Sequence, residues 1–213
     1  MVKEGYWYGL PLVLIAGGLM GFWLRDRSAS LLILSCLFFL LAILILNFFR
    51  DPERLIPADP DFIVSPADGR VVQVVEEAYQ GRPARRVSIF MSPLDVHVNR
   101  SPIAGEIQEV TYRKGAFRVA STDQASMENE QNVFRIRGIQ GEVVVKQIAG
   151  ILARRIVFWK RAGDFLERGE RVGLIKFGSR VDVVLDPGVE LRVKVGDRVQ
   201  AGSTILGISQ PKS

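Results

Sequence analysis

Two stretches without a single charge constrain what this chain can fold into. Residues 7–24 and 31–49 carry no Asp, Glu, Lys or Arg, and only the short polar link Arg25-Asp-Arg-Ser-Ala-Ser30 separates them. Each run approaches the roughly 20 residues that cross a bilayer as a helix. A helical hairpin with both ends on one side is therefore expected over residues 1–49, as a membrane anchor. Trp7, Tyr8, Trp23, Phe48 and Phe49 flank the runs, where amphipathic rings favour the interface. A secretory signal fits poorly. The start offers only Lys3 against Glu4, no small-residue cleavage site precedes Arg25, and a second apolar run follows. Lys3, Arg50 and Arg54 lie near the two ends, against Arg25 and Arg27 in the link. That bias favours a cell-membrane protein with its polar part on the cytoplasmic side.

The rest of the chain, residues 50–213, must build its own core. Residues 50–62 contain three prolines and read as a linker, because Pro excludes helix interiors and central strands. Beyond it the pattern is almost wholly β. Short Val- and Ile-rich runs at 62–65, 70–77, 85–92, 95–100, 105–112, 132–137, 142–150, 155–160, 172–176, 180–186, 190–193 and 204–209 alternate with Gly, Pro and Asp turns. Residues 120–131 lack that alternation and read as a short helix or ordered loop. Ser101-Pro-Ile-Ala-Gly-Glu-Ile and Val193-Lys-Val-Gly-Asp-Arg-Val-Gln-Ala-Gly resemble pieces of biotinyl/lipoyl carrier domains. No exposed carrier lysine sits at a matching hairpin tip. The expected fold is thus mainly β, a barrel-sandwich domain over 50–213 preceded by the helical hairpin.

Composition removes several functions. Cys36 is the sole cysteine and lies in an apolar run, and there is one histidine, which excludes a disulfide framework and leaves too few ligands for a Cys/His metal site. The net charge of +5 includes no run of Lys and Arg interleaved with aromatics, so nucleic acid is not an expected partner. Scattered Arg on a tethered domain suits anionic phospholipid headgroups.

Three local features carry chemistry. In Gly178-Ser179 a serine hydroxyl stands next to the preceding carbonyl, and Gly permits the unusual backbone that attack on it requires. Alone, the pair reads as a Gly-Ser turn. Asp68, in Ser65-Pro-Ala-Asp-Gly69, occupies a turn just ahead of a strand and alone reads as structural. In Asp95-Val-His-Val-Asn99, strand alternation sets Asp95, His97 and Asn99 on one polar face. The sole imidazole there suits a general acid or base, or equally a satisfied surface histidine.

Taken together, these residues resemble phosphatidylserine decarboxylases, in particular their short membrane-anchored form. The landmarks are Phe49-Arg-Asp-Pro, Pro66-Ala-Asp-Gly, Ser92-Pro-Leu-Asp-Val-His, Ser101-Pro-Ile-Ala-Gly, Ala125-Ser-Met-Glu-Asn-Glu and Gly169-Glu-Arg-Val-Gly-Leu-Ile-Lys-Phe-Gly-Ser, in that order. The resemblance implies a self-processing proenzyme. Ser179 attacks the Gly178 carbonyl, the ester eliminates, and loss of ammonia leaves a pyruvoyl group at residue 179. That group is the implied cofactor, built from the chain itself. The products are two chains that remain together, residues 1–178 and 179–213. The implied reaction converts phosphatidylserine to phosphatidylethanolamine and CO2 through a Schiff base to the ketone. The resemblance also implies an Asp-His-Ser relay for cleavage, in which Asp68 matches the Asp and Ser179 the Ser. His97 matches the first of two histidines three apart, and Arg100 stands where relatives carry the second. His97 is the candidate acid for decarboxylation; for cleavage the alternatives are that His97 serves both steps or that Asp68 acts with Arg100 or a water. Exposed strand edges offer a route to a homo-oligomer. The competing readings are a membrane-tethered adaptor without chemistry, which leaves Gly178-Ser179 unexplained, and a serine hydrolase, which lacks the Gly-x-Ser-x-Gly elbow.

Overall fold

The first apolar run folds as α1, Lys3–Asp26, and the second as α2, Ala29–Phe48. Both are long and apolar enough to cross a membrane, with mean hydropathies of 1.5 and 3.0. The turn between them is made by Arg27, whose left-handed backbone (φ 52°) lets its N–H close onto the Trp23 carbonyl at 2.8 Å. Small residues line the seam between the helices. A Cβ added at Gly9 would lie 2.5 Å from Leu46, and Ser35 Oγ donates to the Ala16 carbonyl at 2.8 Å. Close approach of this kind is how helices associate where lipid removes the hydrophobic drive. The computed structural model describes residues 1–116, 128–150, 155–176 and 179–210. It divides the chain into two units, Met1–Pro52 and Glu53–Ser213.

The second unit is mainly β. Its strands are β1 Phe62–Val64, β2 Gly69–Tyr79, β3 Arg82–Met91, β4 Val98–Arg100, β5 Gly105–Arg113, β6 Gln131–Gly138 and β7 Gly141–Ala149. They continue as β8 Ile156–Phe158, β9 Phe165–Leu166, β10 Arg171–Ile175, β11 Ser179–Leu185, β12 Glu190–Leu191, β13 Arg198–Val199 and β14 Ile205–Ile208. Eight of them form one curled, half-barrel sheet in the order β13-β2-β3-β11-β7-β6-β5-β9. Two three-stranded sheets, β1-β14-β12 and β4-β10-β8, complete it. Alternation along β3, β6, β7 and β11 sends Val87, Ile89, Phe134, Ile136, Val145, Val181 and Val183 to the inner face, where each is fully buried. Gly69 is required at the start of β2. Its φ is +152°, and a Cβ there would lie 2.2 Å from the Phe90 carbonyl oxygen.

The proline-rich segment is strapped to the β unit. Arg168 donates to the carbonyls of Pro57, Asp59 and Phe62, and Gln140 donates to that of Pro60. Two sequence expectations change. The strand expected at 95–100 begins only at Val98, because Pro93 and a tight Ser92–Asp95 turn occupy the residues before it. In that turn Ser92 N–H donates to Asp95 Oδ2 at 2.7 Å and Asp95 N–H to the Ser92 carbonyl at 2.9 Å. Strands β9 and β13 were not expected, since two residues show no alternation. Most of the segment at 120–131 lies outside the described residues.

Candidate active site

Three strand ends converge on Ser179. β11 begins there, β3 ends at Met91, β7 ends at Ala149, and the register sets Ser179 opposite both residues. Alternation turns its side chain to the inner face, with Val181 and Val183. The residue is completely buried, and its Oγ donates to Met91 Sδ at 3.4 Å. Gly178 lies outside the described residues.

His97 precedes β4 by one residue and is 2% exposed. The expected polar face does not exist. Val96, Val98, Asn99 and Arg100 are buried as well, because β4 is covered from both sides. His97 Nδ1 lies 2.9 Å from the Asp95 carbonyl oxygen. A carbonyl only accepts, so Nδ1 carries the hydrogen and Nε2 is the basic nitrogen of the neutral ring. The His97 carbonyl in turn accepts from the Ile175 N–H at 3.3 Å. This holds the His97 backbone beside Ile175 at the end of β10, four residues before Ser179 in the chain.

Asp68 occupies the turn into β2. Its Oδ1 and Oδ2 accept from Arg54 Nη2 at 2.9 and 2.7 Å, and Oδ1 also accepts from the Ala201 N–H at 2.8 Å. Burial pushes the carboxyl above its ordinary range, against the downward pull of the Ala201 amide and Arg54, and Asp95 adds to the upward push. Since β2 and β11 flank β3, Asp68 and Ser179 stand at the same end of the sheet, about 10 Å apart at two strand spacings. A third group must stand between them for any proton to pass. Arg100 is also buried, and two of its bonds are to carbonyls. Its Nη1 donates to the Gly169 carbonyl at 3.0 Å, and its N–H to that of Pro66 at 2.9 Å.

A set of buried amides reaches the neighbours of Ser179, and two of its members, Asn132 and Gln147, were not singled out in the sequence. Asn132 Nδ2 donates to Gln147 Oε1 at 2.9 Å, and Gln147 Nε2 donates to Asn99 Oδ1 at 2.8 Å. Asn99 Nδ2 then faces Met91 Sδ at 3.8 Å, the same sulfur that Ser179 touches. Asn129 Nδ2 donates at 2.7 Å to the carbonyl of Ala149, the cross-strand partner of Ser179. One available signal was the presence of Gln147 and Asn132 at inward positions of otherwise Val-rich strands. Two hollows on the opposite side of the sheet, of about 590 and 420 Å³, are lined by neither Ser179, His97 nor Asp68.

A protein-family model described as phosphatidylserine decarboxylase matches residues 41–207, a span that includes Asp68, His97 and Ser179. The chain belongs to the phosphatidylserine decarboxylase family. A phosphatidylserine decarboxylase proenzyme of Solibacter usitatus is 48% identical over 206 residues, covering 97% of this chain and 95% of the relative. One from Salinibacter ruber is 52% identical over 176 residues, covering 79% and 78%. Another, from Burkholderia cenocepacia, is 48% identical over 172 residues, covering 79% and 80%. The match to the Solibacter phosphatidylserine decarboxylase extends over nearly the whole chain, so it takes in residues of the apolar hairpin as well as the β unit.

Proposed function

We propose that this chain decarboxylates phosphatidylserine to phosphatidylethanolamine and CO2, with a pyruvoyl group made from Ser179 by self-cleavage at Gly178-Ser179. The observation that carries this reading is a fully buried serine hydroxyl at the head of a central strand, in the family's Gly-Ser context. Burial suits both tasks of the residue. It keeps water from the ester during cleavage, and it holds the product group in a low-dielectric site. The surroundings fit such a group, because a small carbonyl unit replaces a small side chain beside Met91 and the amide of Asn99. When formed, it supplies an electron sink for the carboxyl-bearing carbon of the substrate.

The chain's own residues divide the remaining work. His97 offers Nε2 for proton transfer, with Nδ1 held by the Asp95 carbonyl in the tautomer that leaves Nε2 basic. It is the only imidazole in the sequence and serves to protonate the carbon that loses CO2. Asp68 and His97 support the serine in cleavage, with the imidazole as the group that stands between carboxylate and hydroxyl. The hairpin α1–α2 anchors the chain in the cell membrane that holds its lipid substrate, with the β unit on the cytoplasmic side. The mature protein is a heterodimer of residues 1–178 and 179–213.

Mass spectrometry of the purified protein tests the reading. The expected result is a 35-residue fragment, residues 179–213, that begins with a ketone in place of an amine. A continuous chain with an intact Ser179 overturns it.

A further inference from the structure

We infer that Asn99 donates the hydrogen bond that receives Ser179 Oγ as it departs during self-cleavage, and that Gln147 and Asn132 fix the direction of that donor. The inference rests on the self-cleavage proposed above. Asn99, Gln147 and Asn132 are 0, 0 and 2% exposed, and they are joined head to tail. Asn132 donates to the Gln147 oxygen, and Gln147 donates to the Asn99 oxygen, so the Asn99 NH2 is left to point at Met91 Sδ. The opposite sense would turn the Asn99 oxygen onto the sulfur lone pairs. A thioether is a weak acceptor, and a buried amide N–H is a strong donor. The donor and Ser179 Oγ therefore share one sulfur as acceptor, and that sulfur satisfies little of the donor's capacity.

The cleavage chemistry needs a donor at this place. Once the acyl group has moved from the Ser179 nitrogen to Oγ, the residue is an ester. Elimination transfers the Cα proton of residue 179 to a base, for which His97 is the sole imidazole. The Cβ–Oγ bond breaks, its electron pair goes to the oxygen, and a Cα=Cβ double bond forms. The oxygen leaves as part of the upstream chain's terminal carboxylate. Negative charge thus develops on an atom that starts in a site without water contact. A preorganised donor lowers such a barrier substantially, and its removal costs about 10²–10³-fold in rate. Met91 has no hydrogen to offer, whereas Asn99 Nδ2 is an N–H donor 3.8 Å from the sulfur that Ser179 Oγ touches at 3.4 Å.

Two substitutions separate a donor from a structural amide. Asn99→Asp replaces the NH2 by oxygen at constant shape. Gln147→Glu keeps both amide links but reverses the one to Asn99 and gives up the weak contact to Met91 sulfur. Its carboxylate accepts from Asn132 and from Asn99, which turns the Asn99 oxygen toward Met91. Wild-type and variant full-length chains are made by cell-free synthesis in detergent, and cutting is followed in time on denaturing gels, with and without hydroxylamine. Unfolding midpoints on the same samples show which variants fold. Both variants are expected to cut about 10²-fold more slowly than wild type. Hydroxylamine, which attacks esters, is expected to restore cutting and to leave an intact serine at the head of the fragment. Cutting at the wild-type rate in either folded variant overturns the inference, as does slow cutting that hydroxylamine fails to restore. A wild-type chain that never cuts would instead sink the proposed function, so the two failures are distinct.

Discussion

Asp68 grips Arg54 with both carboxylate oxygens, and these two side chains join the proline-rich segment to the head of β2. Burial still holds the Asp68 carboxyl above its usual range. A raised folded-state value means that the folded protein binds this proton more tightly than the unfolded chain. The resulting stabilisation is complete below the unfolded value near 3.8 and is lost as pH rises through the folded one. Arg54→Gln removes the main cation opposing that shift. Thermal unfolding should show a small loss for this variant near pH 4 and a larger one near pH 7, about 2 kcal/mol, since both side chains keep some exposure. An equal loss at both pH values would show that Asp68 is not the titrating partner.

Ser179→Ala should give one uncut chain on a denaturing gel and no ethanolamine lipid from serine lipid. Its stability should stay within about 1 kcal/mol of an uncut wild-type reference, because the lost contact is a single weak bond to Met91 sulfur. Appearance of the C-terminal fragment in this variant would remove Ser179 from its assigned role.

His97→Gln keeps a polar group of similar reach but cannot exchange protons near neutral pH. Decarboxylation by whatever fraction matures should fall by about 10²–10⁴-fold, the usual range for a lost general acid or base. Measured CO2 release within tenfold of wild type would exclude His97 from proton transfer.

Arg180→Met probes the layer behind the site. Arg180 is fully buried, with Nε 2.6 Å from Asp182 Oδ1 and Nη2 bonded to Ser88 Oγ at 2.7 Å and Gln73 Oε1 at 2.9 Å. Its loss removes the 2.6 Å partner of the buried Asp182, whose other carboxylate oxygen lies 3.7 Å from Arg86. A destabilisation of about 3 kcal/mol is expected in urea unfolding. A change below about 1 kcal/mol would mean that the pair is replaceable by apolar packing.

The β architecture was legible because β2, β3, β7 and β11 are long enough for alternating Val and Ile to declare a buried face. β9 and β13, at two residues each, carry no such pattern. The reading of 95–100 as a strand failed at Pro93 and Asp95, whose turn breaks the extended chain that alternation presumes. His97 still drew notice, since a sole imidazole stands out wherever it lies. Gly178-Ser179 stood out for a different reason, as the chemistry proposed for it is contained in two adjacent residues. The amides were hidden because their meaning is non-local. Gln147 meets Asn99 across 48 positions of chain, and neither residue signals the other in sequence.

The placement of β11 in the middle of the large sheet fixes the fate of a nicked chain. From Ser179 to Leu185 every residue pairs with β3, and the first six pair with β7 as well. Further along, β13 is hydrogen-bonded to β2 and β14 to β1. A break ahead of Ser179 would therefore sever the covalent thread without loosening the fabric. The short piece would travel with the long one through any gentle separation, and only a denaturant would pull the two apart.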